Sequence, residues 1–201
     1  MLGRDDTRQR RHDKTKRFIL KQAKNMIRSN GVDKFSLRAL AAKCDYSPAG
    51  LYEYFSSKQA LMQAIALGIE KEMKYYLEQA GVGNDLDDLK ALGLQYIAYG
   101  KNNPEDYLLL FTAFTSGRSS ENDTLPETSA YMVLVRMVSK LVEGNHLVLQ
   151  DNVTIEELCY NYWVLLHGHV MMQLTLLKNY TADFEAIESR MLARFVDALT
   201  M

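Results

Sequence analysis

Apolar residues return every three or four positions along almost the whole of this 201-residue chain, and proline occurs only 3 times. That spacing gathers apolar side chains into one stripe of a 3.6-residue helix. Scarce proline leaves the stripe unbroken. Nearly every segment follows this period and not the alternation of a half-buried strand, so the expected fold class is all-α with about nine helices. The first is expected at 14–30, with Phe18, Ala23, Met26 and Ile27 inward and Gly31 as its stop. Two short ones follow at 36–43 and 48–55, with Ser36 and Ser47 as N-caps and Pro48 in the favoured first position. A long helix spans 58–79, with Leu61, Ile65, Ile69, Met73 and Tyr76 on one side. A linker with two glycines at 80–84 separates it from helices at 85–102 and 104–115. Residues 116–124 have loop composition. The last three helices are expected at 126–143, at 154–178 behind a Thr154/Glu157 capping box, and at 181–199.

The net charge of −1 conceals two segments of opposite sign. Residues 1–60 carry 14 Lys/Arg against 6 Asp/Glu, a net of +8, and residues 61–201 carry 10 against 19, a net of −9. A basic segment is the electrostatic footprint of a polyanion partner, and the acidic remainder would repel one and so orient the molecule. The two cysteines, Cys44 and Cys159, have no paired spacing and make no disulfide framework. The N-terminal run lacks the apolar core of a secretion signal. The most apolar stretch, 162–177, is short for a membrane span and contains His167, His169 and Gln173. A cytoplasmic, nucleoid-associated protein without a membrane partner is the expectation.

The most informative segment is 31–61, GVDKFSLRALAAKCDYSPAGLYEYFSSKQAL. Leu37, Leu40 and Ala41 suit the core face of one short helix, Leu51 and Phe55 that of the next. The turn between them carries Asp45, which tolerates left-handed backbone better than most residues. This is the pattern of a helix-turn-helix, whose second helix enters the major groove of DNA. Ser47, Pro48, Ala49 and Gly50 are small and would let backbone approach a base edge or a phosphate. Tyr52 and Tyr54 can offer hydroxyls to phosphates, and Lys58 can reach the same backbone. Arg38 is the candidate for a bidentate contact to guanine, with Ser36 beside it. Glu53 reads as a solvated charge.

The runs Phe35-Ser-Leu-Arg-Ala-Leu-Ala41 and Tyr46-Ser-Pro-Ala-Gly-Leu-Tyr-Glu-Tyr-Phe-Ser-Ser-Lys-Gln-Ala-Leu61 resemble the DNA-binding head of the TetR family of bacterial regulators, over about residues 18–61. Asp45 departs from the family's usual turn glycine. Tyr46 departs from its usual small apolar residue, a change expected to bear on the tilt of the recognition helix. The resemblance implies residues 1–57 as an N-terminal arm and three-helix DNA-binding domain, and 58–201 as a helical bundle for ligand binding and dimerisation. It implies a homodimer joined through its last two helices on a palindromic operator, with recognition helices about 34–36 Å apart. It also implies a repressor released by a small-molecule effector. The alternatives are an effector-independent regulator or an activator and, further off, a helical-bundle enzyme, for which no nucleophile–base pair or phosphate loop is visible.

The arm, with Arg8, Arg10 and Arg11, either follows the phosphates or dips into the minor groove, or is a solubilising tail. Farther on, Trp163-Val-Leu-Leu-His-Gly168 resembles the Trp-x-x-x-His-Gly signature of a C-terminal subgroup of the same family. Trp163 and His167 share a helix face, and Gly168 is expected to let another helix approach. A pocket, implied by the resemblance, would draw on Tyr76, Tyr96, Tyr99, Phe111, Phe114, Trp163, His167 and Met171, and would take an apolar or aromatic effector. Taken singly, each of these residues is as well explained by the core. His167 and His169 point in different directions, so no metal pair and no cofactor are expected.

Overall fold

The structure is a computed structural model that describes residues 3–81, 85–112, 129–150 and 152–199. Among the described residues the regular structure is entirely α-helical. The helices are α1 (Gly3–Asn30), α2 (Leu37–Lys43), α3 (Pro48–Tyr52), α4 (Lys58–Leu77), α5 (Leu86–Asn102), α6 (Pro104–Thr112), α7 (Tyr131–Glu143), α8 (Ile155–Leu174) and α9 (Phe184–Asp197). Two compact units result: residues 3–68 with 109–112, and residues 69–108 with 129–150 and 152–199. The loop expected at 116–124 lies outside the described residues.

In the first unit α1 presents Ile19, Ala23 and Ile27, one turn apart, to the core. Phe35, Leu40, Ala41, Leu51, Phe55, Leu61 and Ile65 complete it. Phe18, expected inward, is 45% exposed: the stripe runs through its neighbour Ile19, about 100° around the helix. Gly31 ends α1 as expected, at φ 79°, its N–H donating to the Ile27 carbonyl. The other end departs from expectation. The helix begins at Gly3 and absorbs the arm, so Arg8, Arg10 and Arg11 stand on regular helix.

The second unit is built around α5, which packs on α7, α8 and α9. Leu89, Leu92, Tyr96, Ile97 and Tyr99 are buried on α5. Close approach is possible because Gly93 lacks a side chain: a Cβ there would run into the Tyr162 hydroxyl and Leu192. Tyr162 donates instead to the Leu89 carbonyl at 2.8 Å. The caps follow the sequence, with Thr154 accepting from Glu157 N and Asp85 from Asp88 N. For α9, Asp183 accepts from Ala186 N and starts the helix at Phe184, later than the expected 181.

One charged cluster crosses this core. Glu188 on α9 is buried, and Lys101 Nζ of α5 donates to its two oxygens at 3.2 and 3.3 Å. His169 Nε2 and Gln173 Nε2 of α8 lie 3.2 and 3.1 Å from Oε1. Burial by itself would raise this carboxyl. The hydrogen bonds from Gln173, His169 and Lys101, with the Lys101 charge, outweigh it and hold the group below its ordinary value. A carboxylate depressed in the folded state contributes stability above its unfolded pKa, and the contribution fades as pH falls through the folded one. Glu188→Gln is therefore expected to cost roughly 3 kcal/mol at neutral pH. The gap to the native chain should begin to narrow only as pH falls below about 4.3, the reference value of glutamate, and go on narrowing as the folded carboxyl takes up its proton. Urea melts at pH 7 and at a series of acid pH values measure both effects.

Candidate nucleic-acid interface

Neither α2, with 7 residues, nor α3, with 5, is long enough to stand alone. Packing and capping hold them. Ser36 Oγ accepts from Ala39 N at 3.2 Å and Ser47 Oγ from Gly50 N at 3.0 Å, each satisfying an orphan donor of the first turn. Between the helices Asp45 adopts φ 59°, the left-handed geometry that lets the chain turn sharply. Leu40, Ala41 and Leu51 are buried on the inner side. On the outer side Arg38, Ser47, Pro48, Ala49 and Tyr52 are exposed, Tyr52 by 54%. The leading end of α3 is thus presented outward, with its unpaired N–H groups and partial positive charge.

Gly50 and Tyr54 are half-buried. Tyr54 packs edge-on to Tyr46, 5.8 Å between centroids, and stacks on His12 of α1 at 4.8 Å. Lys58, exposed at the start of α4, also makes a contact within the chain. Its Nζ donates to the Phe35 carbonyl at 2.9 Å and lies 5.6 Å from the Phe35 ring centroid, tying the start of α4 to the loop before α2. On the arm, Arg8 and Arg11 are exposed, whereas Arg10 forms a two-pronged ion pair with Asp6, at 2.6 and 3.0 Å. Such an exposed pair is screened by water and stabilises the helix only slightly. The His12–Tyr54 stack escaped the sequence reading because no spacing rule links a residue of α1 to one 42 positions later.

The residues expected to line a pocket are only partly brought together. In the second unit Tyr96 Oη and Tyr107 Oη share a hydrogen bond at 2.8 Å, and both lie within hydrogen-bond reach of His167 Nδ1, at 3.2 and 2.7 Å. Trp163 packs on Tyr96 at 4.6 Å and on Tyr131 at 5.2 Å. Burial pushes both phenols up and His167 down, so all three groups are neutral at physiological pH. Tyr107 and Tyr131 belong to this cluster, though periodicity alone did not separate them from other aromatic residues. Tyr76 and Tyr99 make a separate pair, 5.7 Å between centroids, with Tyr99 donating to the Ile69 carbonyl. Met171 is half-buried one turn beyond His167. Phe111 lies in the other unit, and Phe114 lies outside the described residues. Gly168 does not meet a helix of its own chain, since a Cβ there would have nothing within 4 Å.

A capped pair of short helices with an outward leading end, set on a basic α1, defines a helix-turn-helix protein. Residues 19–65 match the family described as bacterial regulatory proteins, tetR family. Over 62 residues the chain is 39% identical to the HTH-type transcriptional regulator UidR of Escherichia coli K12, a match spanning 31% of this chain and 32% of that protein. The similarity therefore covers about a third of the known relative's length. Among solved structures, a protein of unknown function from Rhodococcus sp. RHA1 superposes with a TM-score of 0.75 at 19% identity, covering 93% of this chain and 96% of that one. RolR in complex with the ligand resorcinol superposes with a TM-score of 0.61 at 15% identity, covering 94% and 89%. The likeness to the tetR family of bacterial regulatory proteins thus lies in the head, residues 19–65.

The left-handed turn sets the angle between α2 and α3, and a β-branched residue cannot adopt it cheaply. Asp45→Val is expected to lower stability by about 1–2 kcal/mol, and Asp45→Gly to leave it unchanged or higher. Thermal melting of the two variants distinguishes them.

Proposed function

We propose that this protein is a DNA-binding transcriptional regulator that acts as a homodimer on a palindromic operator and represses until a small effector releases it. The observation that carries the DNA reading is the exposed leading end of α3, flanked by Arg38 and by the basic face of α1. Ser36, Arg38, Ser47, Pro48, Ala49, Gly50, Tyr52, Tyr54 and Lys58 form the reading surface, and Arg8, Arg10 and Arg11 the arm. Residues 1–57 serve as the DNA-binding domain and 58–201 as the ligand-binding and dimerisation domain.

Dimerisation through the last two helices is supported by an unpartnered apolar stripe on α8. Tyr160, Val164 and Met172 are exposed on α8, with the open Gly168 between the last two, and Leu176 is exposed just past the end of the helix. A groove lined by Leu165, Ile187, Arg190, Met191, Arg194 and Phe195 continues the surface. Apolar area of this kind is costly to leave in water. An effector reading is supported by the Trp163–Tyr96–His167 cluster, neutral and rich in ring faces, which suits an apolar or aromatic molecule. One solved neighbour, RolR, holds resorcinol.

Two tests follow. Arg38→Ala is expected to cost about 1–3 kcal/mol at one base-pair position, and Lys58→Ala to weaken all sequences alike while lowering the salt slope by about one. Binding isotherms at several salt concentrations check this, and unchanged affinity in both variants would falsify the docking surface. Val164→Glu puts a charge in the centre of the stripe and is expected to yield monomers by sedimentation. A variant that stays dimeric, or a native chain that is monomeric, rejects the proposed interface.

A further inference from the structure

Three rings bracket the recognition helix. Tyr46, immediately before the Ser47 cap, lies against the first turn of α3, where a Cβ added at Gly50 would meet its Cδ1 at 3.5 Å. Tyr54, just past the end of α3, meets Tyr46 edge-on, with 83° between ring planes. His12, nearly parallel to Tyr54 at 22°, closes the stack from α1. One turn further along α1, Lys16 Nζ sits 5.3 Å from the Phe55 ring centroid. Successive turns of the arm helix therefore rest on successive residues behind the recognition helix.

The chemistry of His12 identifies which part of its side chain matters. Its Nδ1 is buried and makes no hydrogen bond, and the nearest carboxylate oxygen, on Asp13, is 3.7 Å away, beyond hydrogen-bond reach. Polar contacts through that nitrogen do not hold the ring in place; the flat face against Tyr54 does. Arg8, four residues earlier, falls on the same side of α1.

We infer that His12 is a positioning residue for DNA reading: by stacking on Tyr54 it locks the helical arm to the recognition helix, so that Arg8 and the leading end of α3 meet DNA as one rigid body. The inference rests on the DNA-binding reading above. It assigns sequence preference partly to a residue that itself contacts no base.

The test uses the purified full chain and a pool of 30-base-pair duplexes with a randomised centre. Duplexes enriched by the native chain are compared with scrambled ones by fluorescence anisotropy, for the native chain, His12→Ala and His12→Phe. His12→Ala is expected to lower the ratio of enriched to scrambled affinity about threefold to tenfold, the range set by one aromatic pair, while the chain still melts in one cooperative transition. His12→Phe, which keeps the flat ring, is expected to restore the ratio to within about twofold. An unchanged ratio in His12→Ala overturns the inference. So does a His12→Phe as poor as the alanine variant. If the native chain enriches no duplex at all, the DNA-binding reading fails and takes the inference with it. Enrichment by the native chain with no effect of His12→Ala rejects the inference alone.

Discussion

A five-residue helix has too few internal hydrogen bonds to outweigh the entropy of ordering it. The presentation of α3 therefore depends on what lies beneath it. Leu51 and Phe55 are buried together with Leu40, Ala41, Ile19 and Leu61 in one small core. Because that core takes the inner side of α3, the polar and small residues of its leading end have only solvent to face. The same burial sets the orientation of Arg38 on α2. The caps at Ser36 and Ser47 refine the ends, each worth about 1 kcal/mol, but the apolar inner side decides where the ends point.

The second unit solves a different problem. A central helix that touches three others needs close approach and a means of fixing rotation about its axis. Gly93 allows the approach to Tyr162 and Leu192, and Glu188 with Lys101, His169 and Gln173 fixes the register of α5, α8 and α9. Apolar packing is tolerant of small sliding motions, whereas a buried carboxylate has a steep energetic preference for its donors. The Tyr96–Tyr107–His167 chain adds a second directional element among α5, α6 and α8.

Much of this was legible in the chain. Local rules located the helices, the caps at Ser36, Ser47 and Thr154, the stop at Gly31 and the left-handed turn at Asp45, because each depends on groups only a few residues apart. The reading failed where the relevant partner is distant. Phe18 and Ile19 are adjacent and both apolar, and only the neighbouring helices decide that Ile19 turns inward. Lys58 was read only for its reach toward phosphate, and its bond to a carbonyl 23 residues back was not visible in the sequence. The arm was read as lying ahead of a helix that starts at 14, yet it continues α1, with His12 resting on Tyr54 and Lys16 over Phe55.

The amino-acid order by itself determined the all-α class, the helix-turn-helix and the split of basic head from acidic body, since period, capping and charge are properties of neighbours along the chain. Tertiary structure alone decided which rings meet, which charges are buried and which glycines are crowded. Those outcomes depend on distances between helices, and side chains far apart in sequence acquire such distances only when the chain packs.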